Sequence, residues 1–507
     1  MQRVKSGVAH LLVFALMLGM IPIVGNTEVQ AAKKPKLSTK KVTIEKGKKK
    51  KTLKCTVYVK AKKKSNTSAV TTPSPTSSVP TPTPDNGQKA TPTPLPTPEL
   101  PSMKKAYEGF IDNIGTCLTY NQLWGNHATQ MQDKETMSLV DHHYNSFTLE
   151  NEMKPEAVLG SQMATLISKE EAEKLGYSLN GYKETKVPQL NMESIFGAME
   201  TAKKHGIRMR AHTLMWHQQT PSWFFKEGYE NNGAVVDKET MNARLEFYVR
   251  TVVSQVCAKE KELTGEVGSI VYCWDVVNEY IHRSNAPSTA SWVNVYGDMG
   301  LEPSYVKDAF RYAYDELKKV GAQDKVTLFF NDYDTYFDVE SEIAVVNFIN
   351  KGEQAKICSG IGMQSHVDIK RPTIEQYKTA LEAFLATGLE VQITELDITI
   401  NFDTDDSNDR EPTFAYKAEG ETNEDQGVYT KELMKVITDA QRNRDKSVSP
   451  KGITGITIWG VYDGVSWRSD CKPLLFEKKR VKNPASGRYQ YMIQPKPSFY
   501  AFVEAAK

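Results

Sequence analysis

Several signatures are missing from this 507-residue chain, and each omission removes a chemistry. There is no G-x-G-x-x-G turn and no Walker loop, so nucleotide chemistry is not expected. H-E-x-x-H is absent, and His142-His143 are adjacent rather than spaced as ligands on one helix face, so no metal or other cofactor is expected. No G-x-S-x-G occurs, which removes the usual serine-hydrolase elbow. Cysteine is scarce: the six (Cys55, Cys117, Cys257, Cys273, Cys358, Cys471) include no C-x-x-C, and five fall in the large C-terminal part. At least one of those five is therefore expected to be free or paired between molecules. A Cys257–Cys273 bridge and plain buried thiols both fit the spacing. After the N-terminal stretch no segment is apolar enough to span a bilayer.

A net charge of +2 conceals an uneven distribution. Residues 1–32 contribute +1 and residues 33–64, with 15 Lys against one Glu, contribute +14, which leaves −13 on residues 65–507. The large part is thus acidic, which argues against a nucleic-acid partner for it.

The chain divides by composition. Arg3 and Lys5 precede the apolar run "VAHLLVFALMLGMIPIVG" (8–25), and "VQA" ends at Ala31, so residues 1–32 read as a signal peptide; removal is favoured over an uncleaved anchor, and the protein is expected to be secreted or held at the cell surface. Residues 33–66 are Lys-rich, with two strand-like bursts around a Gly turn. They resemble the opening strands of bacterial immunoglobulin-like cell-surface modules; a solvated basic tail is the other reading. The first reading implies electrostatic association with an anionic cell wall. Residues 67–102 form a Pro/Thr/Ser linker, extended and semi-rigid.

From residue 103 to 507 short β-branched and aromatic runs alternate with amphipathic helical stretches. The runs are 114–119, 144–151, 208–217, 271–279, 327–334, 360–368, 391–398 and 455–463. Helical patterns fill 303–320 and 373–388, the latter placing Tyr377, Leu381 and Phe384 on one face. Eight such units predict an α/β fold, a (β/α)8 TIM barrel. Nearly every run ends in a polar or indole side chain, at the face where these barrels build active sites. The 23 Tyr and 7 Trp suit a sugar-handling surface.

Two runs end in glutamates that packing does not require: "VYCWDVVNEY" (271–280) delivers Asn278-Glu279, and "VQITELDITI" (391–400) delivers Glu395 and Asp397. A lone strand-end Glu is most often a rim salt bridge. A pair from different strands can work on opposite sides of one glycosidic bond, one acid protonating the leaving oxygen while the other carboxylate attacks the anomeric carbon or activates water.

"WDVVNE" and "ITELD", with "NSFTLENEMKPE" (145–156), "RAHTLMWHQQTPSW" (210–223), "NDY" (331–333), "QSH" (364–366) and "TIWGVYDGVSW" (457–467), resemble glycoside hydrolase family ten, the endo-1,4-β-xylanases, along most of residues 104–506. The resemblance implies a secreted, endo-acting enzyme that cleaves internal β-1,4-xylosidic linkages of xylan and xylo-oligosaccharides with retention, its catalytic domain working as a monomer. It implies Glu279 as acid/base and Glu395 as nucleophile, with Asp397 and His366 supporting Glu395. It places Glu150, Asn151, Lys154, His212, Trp216, Gln219, Asn278, Tyr333, Gln364, Trp459 and Trp467 around the sugar: Asn278 at a 2-hydroxyl, Trp459 and Trp467 as walls, Tyr333 as a platform on the leaving side. Asn331 is a further shell candidate, and Asp275 is read as structural support. Two long loops, 158–190 and the acidic 401–425, are expected near the cleft, where they would alter specificity. The alternatives are a related barrel glycosidase on β-1,4-glucan or mixed β-glucan, and a non-catalytic wall-associated polysaccharide-binding protein.

Overall fold

The computed structural model describes residues 37–46, 49–58, 100–121, 129–283, 291–401, 420–482 and 487–507. The signal peptide and the linker up to residue 99 lie outside these residues, as do most of the acidic loop (402–419) and Cys55's side chain. The chain separates into two compact units at residues 90 and 91. In the first, strands Leu37–Lys46 and Lys49–Tyr58 pair antiparallel from Leu37↔Tyr58 to Lys46↔Lys49, so the two Lys-rich bursts form a hairpin.

The second unit is a closed barrel of eight parallel strands: β1 Asn113–Leu118, β2 Ser146–Leu149, β3 Arg208–Trp216, β4 Val271–Asn278, β5 Thr327–Asp332, β6 Gly360–Met363, β7 Glu390–Thr399 and β8 Ile453–Ile458. Each pairs with its successor, and β8 closes on β1 through Gly455↔Asn113 to Ile458↔Thr116. Every expected run overlaps its strand, and in three the strand begins one or two residues earlier. The sixth is interrupted, and His366–Asp368 resumes the pairing with β7 after Gln364 and the left-handed Ser365.

These strands read as near-continuous apolar runs because both their faces are covered, the inner by the barrel core and the outer by helices. All eight residues of β4 and all ten of β7 are buried. The two predicted helices are Ser304–Lys319 and Ile374–Ala386; Thr373 and Gln376 form a capping box on the second, which fixes where it starts. Helix Pro497–Ala505 packs against the start of the barrel unit, where the Tyr107 hydroxyl donates to the Phe502 carbonyl at 2.8 Å.

The pairing register slips at five places, and three of them bear on the site: in β3 between His212 and Met215, in β4 between Asp275 and Val277, and in β7 between Ile393 and Leu396. Such irregularities re-aim side chains, and these three flank the residues singled out above. The 158–190 loop is ordered: Leu166–Ser168 pairs with Lys186–Pro188, and Glu184 takes Arg244 of helix Lys238–Thr264 through two oxygens at 2.5 and 2.7 Å. The five described cysteines are free and buried, which decides against a Cys257–Cys273 bridge. The reason is local: each thiol packs as a small apolar group.

Candidate active site

Fifteen sequence-predicted residues lie on the C-terminal halves of the barrel strands or in the segments that follow them, and hydrogen bonds join the groups around Glu279 to those around Glu395. Glu279 follows the last residue of β4 with φ 55, a left-handed conformation costly for a non-glycine residue. Two bonds hold it there: Glu279 N–H donates to the Asn331 carbonyl at 2.8 Å, and Ile281 N–H donates to Asp332 Oδ2 at 2.9 Å. The turn aims the carboxyl at Trp216 Nε1, which donates to Oε2 at 2.8 Å, and at Gln364 Nε2 and Asn278 Nδ2, which donate to Oε1 at 3.0 and 3.1 Å.

Glu395, on β7, accepts from Asn331 Nδ2 at 2.8 Å through Oε1 and faces His366 Nε2 at 3.3 Å through Oε2. The other His366 nitrogen meets Asp397 Oδ2 at 2.9 Å. Asp397 also accepts from Trp467 Nε1 at 2.8 Å and Arg468 Nη1 at 3.3 Å. His212 Nδ1 lies 2.9 Å from Asp275 Oδ2 and 4.0 Å from Glu395 Oε1. Asp275 is gripped in turn by the fully buried Arg210, whose Nη2 donates at 2.5 Å.

Both carboxyls are buried, and their neighbours give them opposite ionisation. Glu279 is 8% exposed; desolvation, then the nearby Asp332 charge, push it up to about 7 against the hydrogen bonds from Gln364 and Trp216. Glu395 is 4% exposed and desolvation acts on it in the same direction, yet His212, His366 and Lys154 face it and bring it down to about 2. His366 is raised to about 9: desolvation opposes its charge, but Asp397 and Glu395 outweigh that. At neutral pH the site therefore holds a carboxylate beside an imidazolium, and a second carboxyl near its titration midpoint. Such a pair can supply a nucleophile and a proton to one bond.

The remaining residues surround this pair. Asn151 Oδ1 accepts from Lys154 Nζ at 3.2 Å and Gln219 Nε2 at 3.4 Å, and Lys154 lies 4.9 Å over the Trp216 ring. Glu150 follows β2, its N–H bonded to the Leu118 carbonyl. Trp459 meets His212 and His366 edge-on, while Trp467, 41% exposed, sits 4.9 Å from His366. Tyr333 stacks on His282 with ring centroids 3.8 Å apart. His282 Nδ1 meets Asp332 Oδ1 at 2.7 Å. Among the described residues no group of His, Cys, Asp and Glu is arranged to hold a metal ion.

Sequence reading passed over four members of these networks. Arg468 directly follows Trp467, and Asp332 stands inside "NDY", so adjacency could have found both. Arg210 opens the quoted segment 210–223, so adjacency could have found it too, whereas His282 carries no local signal; the barrel brings them to Asp275 and Asp332.

The profile of Glycosyl hydrolase family 10 matches residues 102–494. Endo-1,4-beta-xylanase A of Butyrivibrio fibrisolvens is 40% identical over 360 residues, which is 71% of this chain and 78% of the relative. The bifunctional endo-1,4-beta-xylanase XylA of Ruminococcus flavefaciens is 33% identical over 391 residues, covering 76% of this chain and 34% of the relative. Among solved structures, the CBM22-1–GH10 modules of a Clostridium thermocellum endo-1,4-beta-D-xylanase, complexed with xylohexaose, match with a TM-score of 0.58 at 26% identity over 80% of this chain and 67% of theirs. An endo-1,4-beta-xylanase from Caldicellulosiruptor owensensis matches with a TM-score of 0.54 at 26% identity, over 80% of this chain and 99% of that one.

Proposed function

The chain belongs to glycosyl hydrolase family 10, and from that premise we propose that it is an endo-1,4-β-xylanase that cleaves internal xylosidic bonds with retention. The opposed ionisation of Glu279 and Glu395 carries the reading, and the relatives' names support the substrate. In the first step Glu395 attacks the anomeric carbon while Glu279 gives its proton to the leaving oxygen. The Glu395 negative charge is consumed in the glycosyl ester, which lowers the Glu279 pKa and readies its carboxylate to take a proton from the water that releases the sugar. Asn278, its amide fixed by Asn331 and Gln364, is placed to meet the sugar 2-hydroxyl, a contact that strengthens as positive charge develops. Asp397, itself held by Arg468 and Trp467, orients His366, so Glu395 stays ionised and oriented. Trp459 and Trp467 wall the cleaved sugar, Glu150, Asn151, Lys154, His212 and Gln219 bind on the non-reducing side, and Tyr333 takes the next sugar on the leaving side.

The test is reducing-sugar release from xylan and from a soluble β-glucan by wild type, Glu279→Ala and Glu395→Ala, with the first-formed anomer read by NMR. Xylan turnover with retention, lost in either variant, is the expected result. Turnover on glucan alone moves the substrate. No turnover on either, or inversion, sinks the mechanism.

Secretion belongs to the same proposal. The 1–32 segment directs export, and the Lys-rich 33–66 segment holds the enzyme at an anionic wall while residues 67–102 space the barrel from it. Sequencing the N-terminus of the extracellular protein, and washing cells with salt, tests both; an uncleaved Met1 or salt-insensitive attachment would count against them.

A further inference from the structure

After β8 the chain forms an antiparallel hairpin, Phe476–Lys482 with Tyr489–Pro495. Its register pairs Lys478 with Ile493, Arg480 with Tyr491 and Lys482 with Tyr489. Alternation along a strand puts all six of these side chains on one face. Tyr489 is 58% exposed and Tyr491 65%, an outlay of aromatic surface that no core contact explains. The Arg480 guanidinium lies 4.5 Å from the Tyr489 ring centroid. Neither Arg480 nor Lys482 has a carboxylate partner among the described residues, whereas Lys478 bonds Glu135 and Lys479 pairs with Glu477.

The charge of this hairpin runs against that of its surroundings. Residues 476–495 hold Lys478, Lys479, Arg480, Lys482 and Arg488 against Glu477 alone, within a stretch (65–507) that carries −13. An acidic domain repels an acidic polymer, so a basic face beside exposed tyrosines marks where one could settle. Tyrosine offers a flat amphipathic platform to a pyranose ring. A guanidinium resting over an aromatic ring keeps N–H donors available to a carboxylate.

We propose that this hairpin face is a second polysaccharide-binding site, outside the catalytic cleft, for xylan chains carrying uronic-acid side groups. Tyr491 stacks a backbone sugar, Arg480, backed by Tyr489, pairs the side-group carboxylate, and Lys482 adds charge at the same edge. The ligand's identity as xylan rests on the function proposed above; the aromatic–cationic geometry does not.

Retention of the full chain is measured in native gels containing glucuronoxylan, neutral arabinoxylan or polygalacturonate, on a Glu395→Ala background so that polymer survives. Arg480→Gln/Lys482→Gln should weaken retention on glucuronoxylan roughly two- to fivefold and leave arabinoxylan unchanged; Tyr491→Ala should weaken both. The Lys-rich segment is common to every variant and cancels in these ratios. The same hairpin changes in the active chain should leave turnover of a short neutral xylo-oligosaccharide at the wild-type rate, which reports folding and tests the catalytic reading separately. Glucuronoxylan retention unaffected by the double change would overturn the site. A loss of equal size on polygalacturonate would overturn its assignment to xylan.

Discussion

The Asn331 side chain joins Glu395 to Asn278: its Nδ2 donates to Glu395 Oε1 and Asn278 Oδ1, both at 2.8 Å, while its Oδ1 accepts from Thr394 at 2.6 Å. One amide thus fixes both the nucleophile and the residue beside the acid. The second donor on Glu279, Gln364, also reaches Asn278 Oδ1, at 3.1 Å, so the two carboxyls share a framework four strands wide.

Removing that amide should therefore cost rate more than affinity. A hydrogen bond to a charged group contributes about 1.5–3 kcal/mol, so Asn331→Ala is expected to lower kcat on xylan roughly 10- to 100-fold. Steady-state kinetics decide it. A change confined to KM would mean that Asn331 serves ground-state binding only.

The activity profile should be set on its alkaline side by Glu279. The reaction needs Glu279 protonated and Glu395 ionised, so kcat/KM should fall as pH rises through about 7 and stay flat down to pH 4, well above the Glu395 value of about 2. An acid limb near pH 5 would show that Glu395 is less stabilised than its contacts with His212, His366 and Lys154 imply.

Asp332 offers a way to move that limb. After desolvation, its charge is the next cause raising Glu279. It is faced by the His282 imidazole, the Ile281 and Tyr333 N–H groups and the buried Glu342. Asp332→Asn removes the repulsion and should shift the alkaline limb of kcat/KM to lower pH. His282→Gln removes a cation that screens Asp332 and should shift it upward. Limbs that coincide with the wild type in both variants would put the control of Glu279 elsewhere.

Strands and chemistry were legible in the sequence for the same reason. A strand covered on both faces must be apolar, so Glu279, Glu395 and Asp397 stood out against their own strands. Residues that act through space were not legible. Arg210 lies 65 residues before Asp275, and no periodicity in β3 distinguishes a buried cation from an exposed one. The break in the sixth strand was also hidden, because "GIGMQSHVD" is apolar enough to read straight through; only the β7 pairing shows where Ser365 turns. The register slips at His212, Asp275 and Glu395 are likewise a product of barrel closure, and they decide where those side chains point.

The Arg210–Asp275 pair should be costly to halve. Both side chains are fully buried, and Arg210 also donates to Gln392 Oε1 at 3.1 Å. Arg210→Met takes the guanidinium from a buried carboxylate, leaving it the His212 imidazole, and should destabilise the barrel by about 3–5 kcal/mol. Arg210→Met/Asp275→Leu removes both charges and should recover a large part of that. Urea midpoints measure the difference; equal loss in the single and double variants would mean that shape, and not charge, dominates at this position.

Glu279 should weaken the fold it serves. Its carboxyl titrates near 7 when folded and near 4.5 when free, so between those values the folded state binds more protons than the unfolded one. Stability therefore falls as pH rises across that window, and above pH 7 the full penalty applies, on the order of 3 kcal/mol. Glu279→Gln keeps the shape and the hydrogen-bond capacity while removing the charge. The variant should melt close to the wild type at pH 5 and progressively above it toward pH 8, while its turnover falls about 10²- to 10⁴-fold for loss of the acid. Every other titrating group is common to both proteins, so the widening gap in Tm isolates this one carboxyl. A gap that stays constant from pH 5 to 8 would show that Glu279 ionises as an ordinary glutamate, and with it would fall the reason for placing the proton donor there.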